Sequence, residues 1–282
     1  MKATIQYIEK ELAGVYPNTE IDGFKRLIFE AVCGWGFTDQ VAKKQERISV
    51  ADFEKIESIV SRLINFEPIQ YILEETEFYG LRLKVDPSVL IPRSETEELV
   101  QWIIQSKLPV NARFLDIGTG SGCIALALKN QLKNTEITGI DISEMALETA
   151  IKNARLNNLD VRFFQADILK WEAFSWEKYD VIVSNPPYIR ESEKQQMHAN
   201  VLEHEPPNAL FVTDSDPLVF YRAISAFSRK YLTEKGMLYF EINENLGSEI
   251  CELLLGNGFG DIEIRKDING KNRMVCCRNM IF

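Results

Sequence analysis

Apolar residues recur at helical spacing through roughly the first 75 positions. Ile5, Ile8 and Leu12 form one stripe, which Pro17-Asn18 ends. Ile21, Phe24, Leu27, Ile28 and Ala31 form a second, ending near Gly34-Trp35-Gly36. Ser49 stands three residues before Asp52, like a capping box with Asp in the place of Glu. Behind it, Phe53, Ile56, Val60, Leu63 and Ile64 make a third stripe. The pattern predicts a helical bundle over residues 1–75. Residues 78–92 switch to a period of two, with Leu81, Leu83 and Val85 alternating with Arg82 and Lys84. Asp86-Pro87-Ser88 predicts a turn and Val89-Leu90-Ile91 a second short strand, so residues 76–93 are expected to form a connecting β-hairpin.

From residue 94 to residue 282 helical and strand patterns alternate. Helices are predicted over 95–106, 123–132, 143–156 (with Ser143 as N-cap), 220–232 and 250–255. Strands are predicted over 113–117, 136–140, 161–166, 179–183, 237–242, 261–265 and 273–277. Such alternation implies an α/β fold, a doubly wound and largely parallel sheet with helices on both faces. The link at Asn269-Gly270 is too short for a crossover helix, so the last strand is expected to insert antiparallel.

Composition narrows the function. The chain is 45% apolar and 26% charged, ordinary values for a globular protein. Acidic residues outnumber basic ones 42 to 32, a net charge of −10, and residues 1–75 alone hold 13 acids against 9 bases. That balance argues against a broad basic surface for nucleic acid. No apolar run approaches the roughly 18–20 residues that span a bilayer, and no signal-peptide core is visible. The five cysteines (Cys33, Cys123, Cys251, Cys276 and Cys277) lack metal or disulfide spacing and read as reduced, mostly buried thiols. With only His198 and His204 available, no metal site is expected. A cytoplasmic monomer without a membrane partner is the expectation.

The first strand of the second domain runs into Asp116-Ile117-Gly118-Thr119-Gly120-Ser121-Gly122. Alternate glycines let a backbone turn tightly and approach a ligand at a helix N-terminus. A dinucleotide fingerprint would place its third glycine where Cys123 stands, and no Lys-Ser/Thr pair follows for a phosphate loop. Asp141, 23 positions after Gly118, can accept from both hydroxyls of a ribose, or can cap the next helix. Asp167 either accepts from an adenine amino group or is a turn residue. An adenosine without pyrophosphate suits this set, and S-adenosylmethionine fits. The strand and loop resemble the class I methyltransferase pattern, a Rossmann-like fold, which implies that Asp116 sits near the methionine moiety.

The fourth strand leads into Asn185-Pro186-Pro187-Tyr188. Two prolines fix φ and remove two donors, leaving rigid free carbonyls beside the Asn185 carboxamide and the flat Tyr188 ring. Such a site suits a planar NH2 group. An amide nitrogen is a poor nucleophile, and two acceptors holding its N–H bonds would raise its electron density and aim it at a sulfonium methyl. Asn185, Pro186 and Tyr188 are therefore the catalytic candidates.

Four stretches together resemble the HemK/PrmC family of bacterial protein-(glutamine-N5) methyltransferases that modify peptide chain release factors. They are Ile91-Pro92-Arg93-Ser94-Glu95-Thr96-Glu97, Leu115-Asp116-Ile117-Gly118-Thr119-Gly120-Ser121-Gly122, Ser184-Asn185-Pro186-Pro187-Tyr188-Ile189 and Asp267-Ile268-Asn269-Gly270-Lys271-Asn272-Arg273. The resemblance implies S-adenosylmethionine as cofactor and the glutamine of a Gly-Gly-Gln motif on class I release factors as acceptor. It implies that Asn185, Pro186, Pro187 and Tyr188 hold that glutamine. Gly118, Thr119, Gly120, Ser121, Gly122, Asp116, Asp141, Asp167 and Asn185 would hold the cofactor, and the N-terminal domain would dock the protein partner. The sequence departs from the family after the third strand, so either Ile168 or Trp171 covers the adenine, and in the loop at Val212-Thr213-Asp214-Ser215. The charge and prolines of residues 190–216 suggest a mobile loop. The Asn-Pro-Pro-Tyr motif alone also suits an alternative, methylation of adenine N6 or guanine N2 in nucleic acid.

Overall fold

The computed structural model describes residues 1–280, which fall into two compact units. The first holds helices α1 (Lys2–Leu12), α2 (Asn18–Cys33), α3 (Phe37–Ala42), α4 (Val50–Ile64) and α5 (Ile69–Leu73). The expected stripes make its core: Ile8 and Leu12 of α1, Ile21, Phe24 and Ile28 of α2, and Ile56, Val60 and Leu63 of α4 are all buried together. Ser49 caps α4 by accepting from Asp52 N at 3.0 Å. The Asp52 carboxylate is one methylene shorter than a glutamate and takes the Ser49 hydroxyl proton (2.7 Å) rather than reaching back to the Ser49 backbone.

The second unit opens with a hairpin of β1 (Glu75–Phe78) and β2 (Leu81–Lys84), turning at Tyr79 and Gly80, whose φ values are 50° and 74°. Here the structure corrects the expected hairpin: Val89-Leu90-Ile91 forms no strand, and Glu75–Phe78 takes that place. The Asp86 carboxylate ties up the intervening turn, accepting from Ser88 N at 2.8 Å and Thr149 Oγ1 at 3.0 Å. Ile91 N then donates to the Glu205 side chain at 3.3 Å instead of to a neighbouring strand.

After α6 (Ser94–Gln105) come β3 (Arg113–Ile117), α7 (Cys123–Gln131), β4 (Glu136–Asp141), α8 (Glu144–Leu156), β5 (Arg162–Gln165) and β6 (Tyr179–Ser184). The next stretch holds β7 (Ile189–Arg190), α9 (Ala199–His204), α10 (Pro207–Leu210) and β8 (Phe211–Val212). It is therefore built of short elements, with β7 paired parallel to β8. Residues 198–204 group with the first unit, where His204 Nε2 lies 3.2 Å from Asn65 O. Finally come α11 (Val219–Tyr231), β9 (Leu232–Glu241), α12 (Gly247–Gly256), β10 (Phe259–Lys266) and β11 (Asn272–Asn279).

Seven strands form one sheet in the order β10-β11-β9-β6-β3-β4-β5, with β9 to β5 parallel and β11 antiparallel between β10 and β9, as the short final link requires. One face packs against α6, α7 and α8 around Trp102, Phe114 and Leu126. The other packs against α11 and α12 around Tyr221, Phe227 and Ile250. The fold is the expected α/β one with helices on both faces. Among the described residues the cysteines are free, but Cys277 alone is fully buried and the other four are half-buried, a correction to the expected burial. No helix of the described residues is long and apolar enough to cross a membrane, and no cluster of His, Cys, Asp or Glu among them could hold a metal.

Candidate active site

Strand register decides which loops meet. Ile117 pairs with Ile140 of β4 and with Ser184 of β6, and Ser184 pairs with Phe240 of β9. The residues that follow each strand therefore open at one carboxyl edge, where open α/β sheets hold ligands. A cavity of about 320 Å³ lies there, within the range of small-molecule sites.

The glycine loop forms one wall. Gly118 N and Thr119 N each donate to Ile140 O at 2.9 Å, and the backbone turns at Gly118 (φ 72°) and Gly120 (φ 53°). A Cβ at either position would project into open space, so the loop offers bare backbone to the cavity. Thr119 and Ser121 also line it. Gly122 does not; it starts α7, and a Cβ there would press on Ala150, Leu126 and Phe163 at 3.2–3.3 Å.

The three acids have different surroundings. Asp141 lines the cavity and supports its wall, with Oδ2 accepting from Gly120 N and Oδ1 from Ser143 N, each at 2.9 Å. Burial raises its pKa. Asp116 lies behind the lining, 1% exposed, and takes the Thr119 hydroxyl proton at 2.6 Å. Burial pushes its pKa up to about 7. Asp167 lines the cavity while accepting from Leu169 N at 2.9 Å and pairing with Lys170 at 3.3 Å. Beside it Ile168 faces the cavity, whereas Trp171 packs away from it, against Phe227 and Tyr231.

Asn185, Pro186 and Pro187 also line the cavity. Asn185 Nδ2 donates to Thr96 Oγ1 at 3.3 Å, and the Thr96 hydroxyl donates to Glu241 Oε2 at 2.6 Å. Tyr188 Oη donates to the other oxygen of Glu241 at 3.1 Å. That bond turns Tyr188 inward, against the core under α11 and α12, and its ring is not part of the cavity lining. Burial, with the neighbouring Glu241 carboxylate, raises the Tyr188 pKa. Thr96 and Glu241 were not singled out from the sequence. An acid closing an apolar strand, the signal used for Asp141 and Asp167, also marks Glu241 at the end of β9.

The donor set suits a nucleoside bearing a short charged tail. Bare amide backbone, the Asp141 and Asp167 carboxylates with lone pairs to spare and the apolar walls of Ile117, Ile140, Ile168 and Ile224 are present, and a phosphate cradle with its lysine is not. S-adenosylmethionine fits these residues.

The sequence matches two family models, "PrmC N-terminal domain" over residues 3–73 and "Methyltransferase small domain" over residues 96–213. A release factor glutamine methyltransferase of Flavobacterium psychrophilum is 45% identical over 268 residues, 94% of each chain. The chain belongs to the release factor glutamine methyltransferase family. A second family member, from Bacteroides thetaiotaomicron, is 42% identical over 275 residues, covering 98% of this chain and 99% of that one. The resemblance read from the four sequence stretches is thus borne out over nearly the whole length.

Solved structures show the same fold at lower identity. A methyltransferase from Pyrococcus furiosus superposes with a TM-score of 0.55 at 19% identity, covering 78% of this chain and 98% of that one. The T. thermophilus 16S rRNA N2 G1207 methyltransferase RsmC, in complex with AdoMet and guanosine, gives 0.52 at 19% identity, covering 73% of this chain and 49% of that one. Both likenesses show the α/β fold that this family member shares with them.

Proposed function

We propose that this chain transfers a methyl group from S-adenosylmethionine to the side-chain amide nitrogen (N5) of the glutamine in the Gly-Gly-Gln motif of class I peptide chain release factors. The observation that carries the reading is the Asn185 carboxamide, whose nitrogen is engaged by Thr96 so that its oxygen is the acceptor left, in the lining of the cavity that the glycine loop also lines. Family membership supplies the acceptor class.

In this reading the bound cofactor supplies an electrophilic methyl on a sulfonium. The backbone of Gly118, Thr119, Gly120 and Ser121 cradles it, Asp141 accepts from the ribose hydroxyls, and Asp167 and Ile168 border the adenine. Gly122 and Asp116 support the loop from behind. Asn185 Oδ1 and the Pro186 carbonyl accept the two N–H bonds of the glutamine amide, which aims the nitrogen and raises its electron density. One of those protons must leave as the N–C bond forms, and the acceptor holding it is its first stop. Pro187 and Tyr188 hold the turn rigid, through proline φ restriction and the bond to Glu241. The helical first unit docks the protein partner, and the −10 charge suits a basic surface on it better than a nucleic-acid backbone. The setting is cytoplasmic and the enzyme acts as a monomer.

Incubation with methyl-labelled cofactor, release factor and total RNA together tests the reading. Label should enter one glutamine of the release factor, and Asn185→Ala should abolish it. Label entering RNA at adenine N6 or guanine N2, with none in the release factor, would overturn it.

A further inference from the structure

Glu241 is a buried carboxylate at the cavity's back that the mechanism uses only as an anchor for Tyr188. It ends β9, is 1% exposed, and receives two hydroxyl protons, one from Thr96 and one from Tyr188. Burial raises its pKa, against the Thr96 and Tyr188 hydroxyls and the Arg273 charge, which lower it. In both hydrogen bonds the carboxylate is the acceptor.

That restriction propagates. The Thr96 hydroxyl has one proton, and at 2.6 Å from Glu241 Oε2 that proton is committed. Only lone pairs of Thr96 Oγ1 then face Asn185, 3.3 Å away. A carboxamide can bond to them only through its nitrogen. The flipped amide would set two acceptor oxygens against each other at a site where Thr96 is 2% exposed.

We infer that Glu241 and Thr96 are positioning residues that fix the rotamer of the Asn185 carboxamide, so that its oxygen, never its NH2, faces the methyl acceptor. The relay makes the site selective for a donor at that point, that is, for an NH2-bearing substrate over an isosteric acceptor such as a carboxylate. A glutamate in place of the acceptor glutamine would meet the Asn185 oxygen with its own. The inference rests on the proposed function for the identity of the substrate, but the relay itself lies in residues of this chain.

Three variants test it. Thr96→Val keeps the shape and removes the hydroxyl, Thr96→Ser keeps the hydroxyl, and Glu241→Gln places an NH2 group that can turn the relay around. Thr96→Val and Glu241→Gln should lower kcat for release-factor methylation by ~30- to 100-fold, somewhat below the loss of a whole positioned group in a reacting site. KM for release factor and the Kd for S-adenosylmethionine should each stay within about threefold, because one hydrogen bond to the glutamine is a small part of a protein partner's binding and no part of the cofactor's. Thr96→Ser should stay within about threefold of wild type in kcat. A second readout is independent of turnover: the side-chain 15N–1H pair of Asn185, assigned by its loss in Asn185→Ala, should shift in Thr96→Val and keep its position in Thr96→Ser.

An unmoved Asn185 signal in Thr96→Val, or equal damage from Thr96→Ser and Thr96→Val, would overturn the relay. So would Thr96→Val with kcat within threefold of wild type. Wild-type protein that labels no release factor would instead overturn the proposed substrate, and the Asn185 signal would still decide the relay. Should Glu241→Gln not fold, the Thr96 pair carries the test alone.

Discussion

Replacing Asp116 by asparagine removes a charge from the floor of the glycine loop while keeping its shape. The carboxylate is 1% exposed and has the Thr119 hydroxyl as a partner at 2.6 Å. Burial, with the nearby Asp141 charge adding to it, lifts its pKa from 3.8 to about 7. An unfolded chain ionises this group near its ordinary value. Between about pH 4 and pH 7 the folded state therefore keeps a proton that the unfolded state has lost, and stability falls as pH rises through that window. Above it the cost is constant. The gap spans about 3 pH units, each worth about 1.4 kcal/mol, so the ionised form costs the fold ~4 kcal/mol. Roughly 1.5 kcal/mol of this has accrued by pH 5, which leaves ~2.5 kcal/mol between pH 5 and pH 8. Urea unfolding of the cofactor-free protein and of Asp116→Asn at both pH values isolates the effect, because the other titrating groups contribute to both proteins. The wild type should lose ~2.5 kcal/mol more than the variant on going from pH 5 to pH 8. Parallel pH dependence of the two would refute the reasoning, since Asp116 would then ionise alike folded and unfolded.

Further expectations come from the same edge of the sheet. Asp141→Asn leaves one acceptor oxygen for the two N–H groups of Gly120 and Ser143 and puts an NH2 group against the other, so calorimetry should show S-adenosylmethionine affinity falling ~30- to 100-fold; a change under threefold would remove Asp141 from the site. Gly139→Ala puts a Cβ 2.7 Å from the Phe163 ring and 2.8 Å from Thr119 Oγ1, and this overpacking should cost ~1–3 kcal/mol. Thermal melts should show a lower Tm together with weaker cofactor stabilisation, and an unchanged melt would mean that Phe163 yields freely. The Arg93–Glu205 pair is asymmetric, with side chains 35% and 1% exposed. Arg93→Ala strands a buried carboxylate and should cost ~3 kcal/mol or more, whereas Glu205→Gln leaves an arginine that water can reach and should cost ~1–2 kcal/mol. Denaturant midpoints in the reverse order would contradict this account.

The residue pattern by itself determined the helical first unit, the α/β second unit and the antiparallel last strand. Period, caps and the length of the Asn269-Gly270 link are local properties and can be read without knowing what lies opposite. Local chemistry also singled out the glycine loop, Asp141 and the Asn185 turn, since close backbone approach and rigid free carbonyls depend on neighbours in sequence. Tertiary structure alone decided the rest, wherever a side chain's role is set by a partner far along the chain. Thr96 and Glu241 are 145 residues apart, and only the alignment of α6 beside the end of β9 makes them a relay. Arg93 and Glu205 are 112 apart, and Glu205 also draws the Ile91 amide out of the strand that its apolar neighbours predict. Tyr188 and Gly122 carry motif positions, yet one is turned inward by Glu241 and the other is packed against Phe163, because burial of a hydroxyl or a backbone is decided by the surrounding core. Periodicity says which face of an element is buried; the identity of what covers that face is a long-range fact, and here it decides how the Asn185 carboxamide is turned.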